Sequence, residues 1–199
     1  MNMSSFVKTD QTRKNLLDSV ERLSATGPMS AITMRAIADE AECSLGLAYR
    51  YFDTKEDLLG AVLDRAASYI TTGLDVTASP DHLTRQVWER MAERPVFARL
   101  FTWTLLEGRD VTEIMSGHPL LQILGRQAAA QGDANPQSAA AAIGVIMIGG
   151  GLFASTFNRA TRNRPDDQAI YERLSRAAGT ISTASSPLPD RQEVHPDSP

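Results

Sequence analysis

The fold can be read from one stretch, Thr33-Met34-Arg35-Ala36-Ile37-Ala38-Asp39-Glu40-Ala41-Glu42-Cys43-Ser44-Leu45-Gly46-Leu47-Ala48-Tyr49-Arg50-Tyr51-Phe52-Asp53-Thr54-Lys55. Thr33 is placed to cap a helix whose apolar stripe is Met34, Ile37, Ala38 and Ala41, with Ile32 stapling against Ile37 across the cap. A tight turn at Glu42-Cys43 follows, and Ser44 then caps a second, shorter helix ending near Phe52. Ala48 and Phe52, four positions apart, point back to a core. Leu45, Leu47, Tyr49, Arg50 and Tyr51 are left to face outward or flank that face, where a solvated helix would carry lysine and glutamate. Two short helices joined in this way make a helix-turn-helix, in which the second helix enters the major groove of DNA and the first lies across the backbone.

The residues Thr33 to Ala38, Ser44 to Phe52 and Lys55-Glu56-Asp57-Leu58 carry a longer pattern, Ser-x-Gly-x-x-Tyr-x-x-Phe-x-x-Lys. In this pattern the chain resembles the TetR family of bacterial regulators over about residues 10–60. Two positions depart from the family: Glu42 stands in the turn where glycine is common, which implies that the left-handed conformation there is either more strained or reached in another way, and Ala48 stands where leucine is usual. The resemblance implies that Arg35 reaches a base, with a bidentate contact to guanine. It also implies repression relieved by a small molecule bound in a larger C-terminal domain.

The chemistry of the other candidates follows from their side chains. Tyr49 and Tyr51 offer hydroxyls to phosphate oxygens. Thr33 and Ser44 either cap only or share a hydroxyl with the DNA backbone. Leu45 and Leu47 suit thymine methyls, and Gly46 permits close approach. Arg50 has three options: a base, a phosphate, or an ion pair with Asp53. Lys55, in the first turn of the next helix, sits where its charge and the helix amides both favour phosphate. Arg13 and Lys14, expected at the start of the first helix, are either phosphate anchors or solvated charge.

Working outward, helix signals dominate. Leu16, Leu17, Val20 and Leu23 recur at helical spacing before a Gly27-Pro28 stop. Thr54 to Asp57 reads as a capping box opening a helix to about Leu74, and Ser79-Pro80 opens another. Further helices run from Val96 to Glu107, from a break at Gly117-His118-Pro119 to Gly132, from Asn135-Pro136 to about Arg162, and from Asp166 to Ile181. The fold class is therefore all-α with about nine helices. A three-helix helix-turn-helix domain (1–54) is joined by a linking helix to a helical ligand-binding and dimerisation domain (55–183). Residues 184–199, with Pro187, Pro189, Pro196 and Pro199 and few apolar groups, are expected to be a disordered tail.

Composition narrows the function. The 199 residues carry a net charge of −4, and residues 1–55 hold seven Lys/Arg against seven Asp/Glu. Bulk positive charge therefore cannot drive DNA binding, and positioned groups must. The same balance keeps a second possibility open, a helical interaction protein with a relic helix-turn-helix and no operator binding. Cys43 is the single cysteine, which excludes an internal disulfide and fits a reducing cytoplasm. Met1 to Lys14 is polar and shows no secretory signal. Ala139 to Phe157 is long enough to span a bilayer. Its alanines, glycines, Ser155 and Thr156 dilute it, however, so a helix buried on all sides is expected rather than a membrane span. No metal site, cofactor site or catalytic constellation is expected. The histidines are His82, His118 and His195, and Gly149-Gly150-Gly151 lies inside a helix rather than in a phosphate loop.

A recognition helix this short reads only a few base pairs, so the expected partner is double-stranded operator DNA with a palindromic site bound by a homodimer. The resemblance places dimerisation on the last two helices, where Ile143, Met147, Gly150, Ala154 and Leu174 are the candidate interface. The candidate wall for an apolar small-molecule effector is Trp88, Met91, Phe97, Phe101, Trp103, Leu106, Met115 and Leu121, with His118 as a polar contact. In this reading the effector shifts the helix that starts at Lys55 and so resets the distance between the two recognition helices.

Overall fold

A computed structural model describes residues 3–160 and 167–183. Both Asp166, the expected cap of the last helix, and the expected tail at 184–199 lie outside the described residues. The described chain is entirely helical, with α1 (Met3–Thr26), α2 (Met34–Glu40), α3 (Leu45–Tyr51), α4 (Lys55–Thr71), α5 (Pro80–Glu93), α6 (Val96–Leu106), α7 (Val111–Ile114), α8 (Pro119–Ala130), α9 (Pro136–Ala160) and α10 (Asp167–Thr183). The additional helix is α7, a single turn inside the segment where the sequence breaks its periodicity. Asp110 caps it by accepting from Thr112 N at 2.7 Å.

Local signals place most boundaries. Gly27 N donates to Leu23 O at 3.0 Å, closing α1 where the Gly-Pro pair predicts. The start of α1 lies earlier than its apolar stripe suggests, at Met3, so Arg13 and Lys14 sit mid-helix rather than at a helix terminus. Thr54 and Asp57 form both halves of the capping box: Thr54 Oγ1 accepts from Asp57 N at 3.0 Å, and Asp57 Oδ2 accepts from Thr54 N at 2.9 Å. Past the C-terminus of α6, Gly108 adopts φ +74° and Arg109 N reaches back to Thr104 O at 3.2 Å.

Helix α4 is the axis of the molecule. Leu58, Leu59, Gly60, Val62, Leu63, Ala66, Ala67 and Ile70 are all buried, covering most of its circumference. It packs against α1 on one side and against α5, α6, α7 and α8 on the others. The apolar core therefore runs without a break from α1–α3 into the larger bundle.

Ion pairs reinforce this junction. Arg65 on α4 donates to Asp18 at 2.7 Å and to Glu21 at 2.6 Å, and Arg94 donates to Glu21 at 2.6 Å. Burial would raise the Asp18 carboxyl, but the hydrogen bonds and charges of Arg65 and Lys14 outweigh it and hold the group below its usual value. At the other end of α4, Arg90 caps the free carbonyls of Tyr69, Thr72 and Gly73.

Helix α9 is long and apolar enough to cross a bilayer by length and composition alone. Instead, it packs against α5, α6, α8 and α10. Within the single chain the helix is not buried on all sides. Its inner face is covered, but Val145 is 74% exposed and Phe153 is 52% exposed on its outer face.

Candidate DNA-binding site

The two short helices are held in place by their first and last turns. Thr33 Oγ1 accepts from Ala36 N at 3.1 Å, and Ser44 Oγ accepts from Leu47 N at 3.2 Å, so each hydroxyl serves as a cap. At the turn, Glu42 N donates to Asp39 O at 3.1 Å and Cys43 N to Ala38 O at 2.9 Å. This crossed pair is a Schellman motif, and its left-handed position is filled by Glu42 at φ 54°. Of the two alternatives for a glutamate in the turn, the strained left-handed backbone is thus the one present. Cys43 beside it is half-buried, and burial pushes its thiol up from the usual value.

Helix α3 sorts its side chains as its spacing requires. Ala48 and Phe52 are buried, while Gly46, Tyr49 and Arg50 are exposed. A Cβ at Gly46 would meet nothing within 4 Å, so this side of the helix is bare. Two candidates face outward less than expected: Leu45 and Tyr51 are half-buried and pack against the core. Helical geometry explains this, because positions 45, 48 and 52 share one face and 51 borders it. Leu47 is half-buried without joining that core.

Charge is distributed more usefully than the zero balance of residues 1–55 suggests. Asp18 and Glu21 are bound by Arg65 and Arg94, and Glu40 accepts from Arg22 at 2.6 Å. Arg35 and Arg50 are exposed and form no ion pair among the described residues, so the pairing of Arg50 with Asp53 is not formed. Lys14 pairs with Asp18 at 3.3 Å, and Arg13 lies over the Phe52 ring at 5.3 Å. Neither presents a free charge at a helix start.

Lys55 is the clearest departure. Its Nζ lies 4.7 Å from the centroid of the Trp103 ring on α6 rather than standing open beside α3. Burial lowers its ammonium from the usual lysine value, with weaker opposing effects from Glu56 and Glu107 and a further lowering from Arg109. The ring face attracts the cation and shields it from water.

These features coincide with a family. Residues 16–62 match the sequence profile of bacterial regulatory proteins of the tetR family. The amino-terminal domain is a TetR-family domain. Among curated relatives, the HTH-type transcriptional repressor KstR of Mycobacterium tuberculosis is 38% identical over 68 residues, 34% of this chain and 31% of that protein. The chain thus spans about a third of the length of that relative. Over most of the chain's length the likeness is one of fold. BioQ of Mycobacterium smegmatis superimposes with a TM-score of 0.64 at 21% identity, covering 87% of this chain and 98% of BioQ. A structure of BioQ with its double-stranded DNA operator gives a TM-score of 0.57 at 21% identity, covering 84% of this chain and 97% of that one.

The structure does not assemble the expected effector wall. Trp88, Met91, Phe97 and Met115 are buried, and Phe97 and Phe101 pack with ring centroids 5.7 Å apart, so these are core contacts. Trp103 is taken by Lys55, whereas Leu106 is 81% exposed at the end of α6 and Leu121 is exposed on α8. His118 is half-buried at the start of α8. Two shallow cavities, of about 250 and 220 Å³, lie between α5 and α10, and of the nine expected residues only Trp88 lines either. Both fall below the roughly 300 Å³ at which small-molecule pockets begin.

The interface candidates on α9 also need revision. Ile143, Met147 and Ala154 are buried within this chain, and Trp88 Nε1 donates to Met147 O at 3.3 Å. A Cβ at Gly150 would stand 2.9 Å from Trp88 Cζ2 and 3.1 Å from Leu174 Cδ1, so both Gly150 and Leu174 belong to the internal α5–α9–α10 packing. The exposed residues of its outer stripe are Val145 and Phe153, with half-buried Ile148, Gly149 and Leu152 between them, residues that sequence periodicity could not tell apart from the buried ones.

Proposed function

We propose that this chain is a cytoplasmic transcription regulator that binds a palindromic DNA operator as a homodimer and acts as a repressor. Residues 1–54 would be the DNA-binding unit and 55–183 the dimerisation and effector unit, with α4 shared between them. The observation that carries the reading is the bare face of α3 with its neighbours. Among the described residues, exposed Tyr49 and Arg50, an open Gly46, and Arg35 on α2 lack internal partners that would explain them as structural. Arg35 and Arg50 would read base edges, Tyr49 would anchor to phosphate, and Gly46 would let the backbone enter the groove.

The stripe Val145–Ile148–Gly149–Leu152–Phe153 supports dimerisation through α9, since an apolar face on the longest helix suits a second copy of itself. An effector would have to open the closed bundle near Phe97 and Phe101, and its release of DNA would act through α4. That effector reading draws support from the family and from the structure of RolR in complex with the ligand resorcinol, which matches with a TM-score of 0.52 at 18% identity.

The test is genomic-fragment selection followed by fluorescence anisotropy on the recovered duplex. Wild type should bind with steep salt dependence, and Tyr49→Ala should lose about tenfold, as for one charge-assisted hydrogen bond of roughly 1.5 kcal/mol. Weak, sequence-blind binding that the substitution leaves unchanged would instead favour an interaction protein with a relic helix-turn-helix.

A further inference from the structure

The contact between Lys55 and Trp103 belongs to a larger seam. Arg109 Nη1 pairs with Glu56 Oε1 at 2.8 Å. Ser116 N and Oγ donate to Asp64, at 3.0 Å to Oδ1 and 2.6 Å to Oδ2. Between them, Gly60 lets the backbone of Ile114 lie against α4, where a Cβ would come within 3.0 Å of Ile114 Cγ2 and nearer still to its carbonyl oxygen. Positions 56, 60 and 64 fall on one stripe of α4, so the chain from the end of α6 through α7 is fastened along two turns of that helix.

Trp103 is therefore fixed relative to the start of α4, whereas Lys55 is an ammonium on a flexible four-carbon stem. Lys55 stands just beyond the recognition helix, separated from Tyr51 only by Phe52, Asp53 and Thr54. Of the acids around it, Glu56 is paired with Arg109 and Asp57 with the Thr54 cap, while exposed Glu107 at the end of α6 acts on it as a charge without forming an ion pair. Among the described residues the ring is thus the contact the cation makes, and no carboxylate forms an ion pair with it that a phosphate would have to break.

We propose that Trp103 and a duplex phosphate compete for Lys55, so that the α6 ring withholds one phosphate contact from the DNA-binding face and Trp103 sets the electrostatic share of DNA affinity. This rests on the DNA-binding reading above. Trp103 acts here as a positioning residue. Anything that drew the ring away from α4 would strengthen binding, and anything that pressed it closer would weaken binding, without touching the recognition helix.

The experiment uses the full chain with Trp103→Leu, Trp103→Phe, Lys55→Ala and Trp103→Leu/Lys55→Ala, each checked for helical content. Binding is measured against salt on two fluorescein-labelled duplexes, the one recovered by selection and a scrambled one of equal length. Trp103→Leu should tighten binding several-fold at low salt on both duplexes. It should also steepen the slope of log K against log salt by about 0.9 per subunit, the value of one added phosphate contact. Trp103→Phe, which keeps most of the packing, should move the slope the same way by less, and in the Lys55→Ala background Trp103→Leu should change nothing. An unchanged slope or weaker binding in folded Trp103→Phe and Trp103→Leu overturns the competition while leaving the DNA-binding reading intact. Failure of the wild type to bind either duplex overturns both.

Discussion

Gly60→Ala is the sharpest test of how α4 is built into the molecule. Glycine in a helix interior is ordinarily a weakness, and alanine there gains about 0.8–1.0 kcal/mol. At Gly60 the sign should reverse. The new methyl would sit 3.0 Å from Ile114 Cγ2 and 3.2 Å from the Ile114 carbonyl carbon, with the carbonyl oxygen closer still. A side chain could rotate away, but a backbone carbonyl cannot, so α7 must retreat by roughly an ångström to recover the usual 3.5–4.0 Å separation. Overpacking of this kind costs about 1–3 kcal/mol. The retreat also lengthens the hydrogen bonds from Ser116 to Asp64. Set against the helix gain, the net loss is about 0–2 kcal/mol, or a fall in Tm of up to roughly 8 °C for a chain of this size. Circular dichroism at 222 nm, at fixed protein concentration, reads it directly. Gly46→Ala, whose Cβ would meet nothing within 4 Å, is the control and should not lower Tm. A Gly60→Ala protein more stable than wild type would refute the close approach of α7 to α4.

Three further outcomes are expected. Glu42→Gly should raise stability by about 0.5–1 kcal/mol, because an L-residue in the left-handed region pays roughly 1–2 kcal/mol that glycine avoids, less glycine's greater unfolded entropy; denaturant titration measures it. Val145→Asp should convert a dimer into a monomer by sedimentation velocity without loss of helicity, since Val145 is 74% exposed in the single chain. Asp18 is held below its ordinary value of 3.8 in the folded chain, so its contribution is complete above that value and fades as pH falls through the lowered folded value. The stability of wild type should accordingly drop more steeply below about pH 4 than that of Asp18→Asn, as followed by urea unfolding at stepped pH.

The elements that were legible in the sequence are those set by local chemistry. Thr33, Ser44 and Thr54 announce their helices because a hydroxyl cap needs only the next three residues, and all three caps form. Glu42 was legible as a strained position because the turn demands a left-handed residue whatever surrounds it. What the sequence could not show depends on partners distant along the chain. Nothing near Lys55 points to Trp103, forty-eight positions away, and the local rule for a helix N-terminus gives the cation to an anion instead. On α9 nearly every residue is apolar, so periodicity could not separate Ile143 and Met147, which face inward, from Val145 and Phe153, which do not. The apolar residues of α5 and α6 read equally well as pocket wall or as core, and the structure uses Phe97 and Met91 as core.

The position of Cys43 has a practical consequence. It is the only cysteine in the chain, and it lies in the turn between the two short helices, half-buried and with a thiol that resists ionisation. A thiol-reactive reagent therefore addresses one atom per chain, in the turn between α2 and α3. Slow labelling of the free protein would report how often the turn loosens. The change in that rate on adding DNA would report occupancy, without introducing a reporter group anywhere else.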